Sequence, residues 1–170
     1  MTGVLITFNL ASLLTLGYVF WQGYYAGAGI PMKNHIVMAL IATGLSVFSH
    51  SMTMMYFAAL GRMIRQAVEK GNLNPEAVQK TKKYRSLIFR VGSITMLVVM
   101  AQTILGGGAH TRVFPGWVHE AQAIFTLLVS IFAVYIEIRY LILNHLLGHQ
   151  VAKQYGEKIE NRGLKIDDRV

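Results

Sequence analysis

The chain has 170 residues, 54% hydrophobic and only 14% charged, with a formal charge of +8. Soluble domains usually carry about a quarter charged residues, so this balance argues against a water-soluble globule. The lack of cysteine excludes disulfides, thiolate metal sites, iron–sulfur clusters and c-type haem attachment.

The first apolar run covers residues 3–29. It has no basic n-region and carries Trp21, Gln22, Tyr24 and Tyr25 late, which predicts a retained span rather than a signal peptide. Three further runs cover 35–60, 87–107 and 117–143. Each is long enough to cross roughly 30 Å of hydrocarbon with some tilt. Lipid leaves no backbone amide unpaired and the period-2 pattern of a barrel is absent, so these runs are predicted helices.

Two of the helices are expected to leave the membrane as stems. Met63, Ile64, Ala67 and Val68 continue a helical apolar spacing beyond the second span. Gly71, Asn72, Asn74 and Pro75 then mark a turn, with Asn74 as N-cap and Pro75 at the first helical position. The third helix is predicted from Pro75 to the glycines at 106–108, read as a helix stop and flexible loop. That glycine run lacks the Lys-Ser/Thr of a phosphate loop. The fourth helix is predicted from Pro115 to about Tyr155. Residues 1–156 thus form one domain. Residues 157–170 form a charged tail whose composition reads as disordered unless it packs against a partner.

The basic charge speaks to topology rather than to nucleic acid. Fourteen of the sixteen Lys and Arg fall in 62–90 or 139–169, leaving Lys33 and Arg112 in the opposite loops. The positive-inside rule makes the basic side cytoplasmic. The expectation is an all-α integral membrane four-helix bundle: two helical hairpins, both termini inside, cytoplasmic helix extensions, in a bacterial inner membrane. Trp21, Tyr24, Tyr25 and Trp117 sit at the outer boundary, where amphipathic rings are favoured. Lys80, Lys82, Lys83 and Arg85 suit anionic headgroups or an acidic cytoplasmic partner.

An offset of 84 residues aligns Pro31 with Pro115, His35 with His119, Ser46 with Ser130, Phe48 with Phe132 and Tyr56 with Tyr140. Chance similarity of two apolar helices competes with an internal repeat here. Either way, both helices run from outside to inside, so His35 and His119 share one depth.

The histidines are the candidates for chemistry. Imidazoles at equal depth on two facing helices suit the axial ligands of a b-type haem, and small residues at 39, 42, 43 and 44 make room for it. The layout is analogous to haem-b membrane anchors of quinone-linked respiratory complexes. The preferred function is therefore a small electron-transfer subunit binding haem b through His35 and His119. Glu120, Arg112 and His110 offer a quinone or proton site at the outer boundary. The competing readings are an outward-facing copper or zinc site of His35, His110 and His119, and a cofactor-free scaffold or assembly subunit whose histidines bond loop carbonyls or water. Other membrane or peripheral subunits, or further copies of the chain, are the expected partners besides lipid.

His50 lies roughly 22 Å below His35 at 1.5 Å per residue, and an ionisable group at that depth is a functional hypothesis by default. Ser12, Thr15, Ser93 and Thr95 are expected to satisfy its ring. The alternatives are a second haem ligand or a proton path. Arg90 and Glu137 are expected to pair near the cytoplasmic boundary. His145 and His149, one turn apart, read as a solvated helix face, and the nine methionines read as soft packing. A transporter lacks a broken-helix pair. Hydrolytic chemistry lacks an aspartate near a span, and no serine has a convincing base. No catalytic residue is assigned.

Overall fold

A computed structural model describes residues 1–25 and 29–167, with side chains through Asn161. Residues 26–28 of the first predicted outer loop and the end of the tail, 168–170, lie outside the described residues. The chain forms four helices: α1 (Thr2–Tyr25), α2 (Met32–Gly71), α3 (Glu76–His110) and α4 (Gly116–Asp167). All four are long and apolar enough to cross a membrane. They alternate in direction, giving a short-loop end, where α1 passes to α2 and α3 to α4, and a stem end beyond the reach of α1.

The pattern of burial is inverted relative to a water-soluble bundle. Leu14, Leu97, Ile104 and Leu128 point outward at 61–73% exposure, while Asn9, Ser46, Thr53 and Glu137 are at 0%. Polar side chains turned inward find each other; apolar side chains turned outward suit a hydrocarbon solvent. Every pair of helices packs together except α1 with α3. The parallel helices α2 and α4 therefore meet across the diagonal, and whatever they share lies on the bundle axis.

Local chemistry sets the helix ends. Pro31 precedes α2 and Pro115 precedes α4, as ring-fixed φ favours at a helix start. Asn74 Oδ1 accepts the Glu76 N–H at 2.9 Å, and Pro75 is already helical at φ −67°. At the other side of this turn Asn72 is left-handed at φ 48°, and the Leu73 N–H reaches back to the Val68 carbonyl, closing the C-terminus of α2.

Two elements depart from the sequence-based expectation. The glycines at 106–108 do not stop the third helix, which continues to His110. The fourth helix does not end near Tyr155 but passes through Gly156 to Asp167. Both departures reflect packing overriding propensity. Gly106 closes on His119, and the extended α4 lays Lys158 against Asn72, with Nζ donating to the Asn72 carbonyl at 2.8 Å.

Apolar residues fill the stem: Ile64, Val68 and Val151 are buried among Leu60, Leu73, Val78 and Leu147. A second cluster, Leu5, Tyr56, Phe57, Ile88 and Leu141, seals the bundle where the stem begins. His145, His149, Lys80, Lys82, Lys83 and Arg85 are all on exposed surface.

Candidate functional site

Two sites stack along the axis between α2 and α4. The upper one is a cavity of about 590 Å³ at the short-loop end, within the range of about 300–1,000 Å³ that holds cofactor-sized ligands. His35 and His119 both line this cavity. They lie within electrostatic reach of one another.

Each imidazole rests on a glycine of a neighbouring helix. A Cβ on Gly23 of α1 would lie 3.5 Å from His35 Cε1, and one on Gly106 of α3 would lie 3.0 Å from His119 Cε1. The remaining walls are largely apolar, with Leu16, Val19, Phe20, Ala39 and Leu127 among them.

The ring of His119 is held by Gln102 of α3, whose Nε2 lies 3.0 Å from Nδ1. The carbonyl Oε1 of the same amide is buried and has no partner. A half-turn of the amide presents Oε1 to an Nδ1–H, the tautomer that leaves the Nε2 lone pair free, and gives up the weak bond from the amide to the His119 carbonyl at 3.5 Å. His35 Nδ1 is also buried without a partner among the described residues. Among those residues no loop carbonyl bonds either ring of the pair.

Of the other predicted outer residues, His110 and Glu120 line the cavity. Arg112 does not: it occupies the exposed 111–115 turn in a left-handed conformation, φ 60°. Among the described residues no three His, Asp or Glu side chains are grouped closely enough to hold a metal ion, so His35, His110 and His119 share a cavity without forming a three-ligand cluster.

The lower site corrects two expectations. Glu137 does not pair with Arg90; its Oε1 lies 2.7 Å from His50 Nδ1, with the two side chains 0% and 2% accessible. Arg90 is exposed on α3 and donates to the Ser86 carbonyl of its own helix. His50 is accordingly satisfied by a carboxylate rather than by the hydroxyls of Ser12, Thr15, Ser93 or Thr95. The physical reason is the α2–α4 diagonal contact, which brings Glu137 to His50, whereas Arg90 gains nothing by entering the core.

All four helices converge on this pair. From α1, Asn9 accepts from Ser49 Oγ at 2.8 Å and donates to Thr53 Oγ1 at 3.2 Å. Asn9 and Thr53 both lie close enough to act on the Glu137 carboxylate. From α3, Gly92 leaves room, since a Cβ there would lie 3.4 Å from Glu137 Oε1. The second carboxylate oxygen, Oε2, is buried with no hydrogen-bond partner in the protein.

A depth count applied to carboxylates as well as to histidines makes Glu137 a candidate partner of His50, without fixing its azimuth. Glu137 lies 18 positions after His119, and His50 lies 15 after His35. The two differ by less than one helical turn, about 5 Å, which a glutamate side chain spans. No family model, curated relative or solved structure matches this chain.

Proposed function

We propose that this is an integral membrane protein with its basic stem and both termini in the cytoplasm. We read it as a small electron-transfer subunit that binds haem b between α2 and α4. The observation that carries the reading is that His35 and His119 line one largely apolar cavity of about 590 Å³. Haem b, when bound, supplies a one-electron carrier close to the outer face.

The residues present fit that group. Two neutral imidazoles furnish a bis-nitrogen donor set. Gly23 and Gly106 leave the rings sterically free. Gln102 orients His119 through its second nitrogen, as outer partners of ligating histidines do. Leu16, Val19, Phe20 and Leu127 give the cavity apolar walls. His110 and Glu120 on the cavity wall provide a polar rim for a quinone headgroup, with the Glu120 carboxylate positioned to take up a proton. Bacterial inner membrane is the location that suits such a subunit.

A second reading, a scaffold for larger partners, is favoured by one observation. Leu146 and Ile159 are 53% and 50% exposed on the part of α4 that extends beyond a hydrocarbon layer of roughly 30 Å. Side chains there are open to water or to a partner protein rather than to lipid.

One visible absorption experiment separates the two. Detergent-purified protein expressed with haem supply is oxidised and then reduced with dithionite. A sharp reduced α-band with one haem b per chain, lost in both His35→Ala and His119→Ala, supports the electron-transfer reading. A featureless spectrum from folded protein retires it and leaves the scaffold.

A further inference from the structure

Beneath the cavity, both α2 and α4 carry a file of hydroxyls leading to the His50–Glu137 pair. On α2 the order is Thr43, Ser46 and His50; on α4 it is Thr126, Ser130 and Glu137. Thr43 and Thr126 form part of the cavity lining. Ser46 and Ser130 are buried at 0% and 1% exposure, and their hydroxyls, like that of Thr126, have no protein partner. Buried hydroxyls left without a protein partner are sites where ordered water bonds. On α2 the members are three and four residues apart, about 4.5–6 Å along the axis, a gap that one bridging water closes. On α4 Thr126 and Ser130 are four apart but Ser130 and Glu137 seven, about 10.5 Å, so the last step to the pair runs from Ser46.

On the stem side an apolar layer precedes the next buried polar group, Asn144 of α4, which accepts from Thr81 at 2.7 Å and whose Nδ2 has no partner among the described residues. Leu5, Tyr56, Phe57, Ile88 and Leu141 form a buried apolar layer across the bundle there. Tyr56 spends its hydroxyl on Thr2 Oγ1 at 3.1 Å. A proton therefore has a hydroxyl-lined approach from the short-loop end and an apolar barrier toward the stem.

The chemistry of the pair is that of a proton site. With its proton, the pair is neutral overall, as carboxylic acid beside imidazole or as carboxylate beside imidazolium. Without it, one negative charge remains in the buried interior, close to the amide of Asn9 and the hydroxyl of Thr53. Those two neutral donors make the charged state reachable without locking it in place, as a fixed cation would. No charged group of a neighbouring helix faces the pair among the described residues: α1 presents Asn9 and Ser12, α3 presents Gly92 and Thr95, and Arg90 and Arg139 are exposed. The nearest phenols, Tyr56, Tyr84 and Tyr140, belong to the apolar layer or pack against it.

We propose that His50 and Glu137 form a proton-binding site that exchanges with the cavity at the short-loop end and is closed toward the stem. The inference rests on the membrane-spanning reading and is independent of any haem.

The test uses the full chain in vesicles of phosphatidylcholine and phosphatidylglycerol. Floatation establishes insertion, and protease access to the stem establishes orientation. Infrared difference spectra then follow pH steps applied to one side at a time. The expected result is a carboxyl or imidazole band that responds to pH at the short-loop side only. It is absent in Glu137→Gln and displaced in His50→Gln. Should the glutamine variant fail to fold, Glu137→Asp keeps a carboxyl and moves the band. Ser46→Ala combined with Ser130→Ala should slow the response about tenfold, the scale of one lost hydrogen-bonded step. A band that follows stem-side pH, an unchanged rate in the serine double variant, or no response assignable to the pair overturns the proposal in inserted protein. Protein that does not float overturns the membrane reading itself.

Discussion

Glu137 and His50, 87 residues apart, join through a 2.7 Å contact across the diagonal of the bundle. Removing either partner leaves the other as an unsatisfied polar group in the core. His50→Leu and Glu137→Leu should each lower stability by about 3 kcal/mol, the cost of breaking a buried pair. The double leucine variant should recover a large part of the loss, because no orphan remains and the volume is roughly kept. A double-mutant cycle read by steric trapping in bicelles measures this directly. Strictly additive losses would show that the pair is not coupled.

This pair also marks the limit of what was legible in the sequence. The four helices could be read from the length of the apolar runs, each of them enough to cross a hydrocarbon layer as a helix. The common depth of His35 and His119 followed from helix direction alone. The identity of His50's partner did not, since depth counting orders residues along an axis but says nothing about azimuth. Arg90 and Glu137 sit on successive helices and were the natural pair by proximity in sequence. The contact of α2 with α4 along the diagonal decides otherwise. The glycines at 106–108 misled for a related reason. Their helix-breaking tendency, about 1 kcal/mol each, is outweighed when a missing Cβ lets His119 approach the α3 backbone.

The turn between α2 and α3 gives a separate prediction about the stem. Asn72 adopts φ 48°, and a Cβ on neighbouring Gly71 would lie 2.9 Å from Tyr155 Cδ2 and 3.0 Å from Leu73 Cγ. Asn72→Gly should be neutral or stabilising by a few tenths of a kcal/mol, whereas Asn72→Val should cost about 1–2 kcal/mol because a β-branched residue resists the left-handed region. Gly71→Val should loosen the contact with α4. Limited proteolysis of detergent-solubilised protein would report both changes as faster cleavage in the 70–75 segment, with no change in the fragments from the rest of the bundle.

At the start of α3, the Lys80 ammonium bonds the Glu76 carboxylate at 2.7 Å and holds its carboxyl below the usual carboxylate range. A carboxyl lowered on folding contributes above its unfolded value, and the contribution is lost as pH falls through the folded value. The difference in stability between the wild type and Glu76→Gln should therefore be present at neutral pH and vanish below about pH 4. Both groups are fully exposed, so the effect should be small and should fade as salt is added. A melting series of the two proteins across pH, at low and high salt, checks the sign. A difference that grows on acidification would contradict it.

The sharpest test of the upper cavity lies in residues that touch His119 without being ligands. Gln102 fixes the ring through Nδ1, and Gly106 leaves 3.0 Å for a Cβ where ordinary contact needs more. Gln102→Leu removes a partner of the kind whose loss weakens metal-ligand affinity about 10–100-fold, so haem titration of the apoprotein should show a drop of that order. Loss of that hydrogen bond also makes the imidazole a poorer electron donor, which favours reduced iron and should raise the midpoint potential. Gly106→Ala should act differently, by pushing the ring a few tenths of an ångström, so that affinity falls while the hydrogen bond to Gln102 survives. Gly17→Ala on α1, where a Cβ meets nothing within 4 Å, is the control and should leave the titration unchanged. Equal behaviour of all three variants would mean that His119 is not held for ligation, because a ring with no metal to meet has no reason to be sensitive to its second nitrogen.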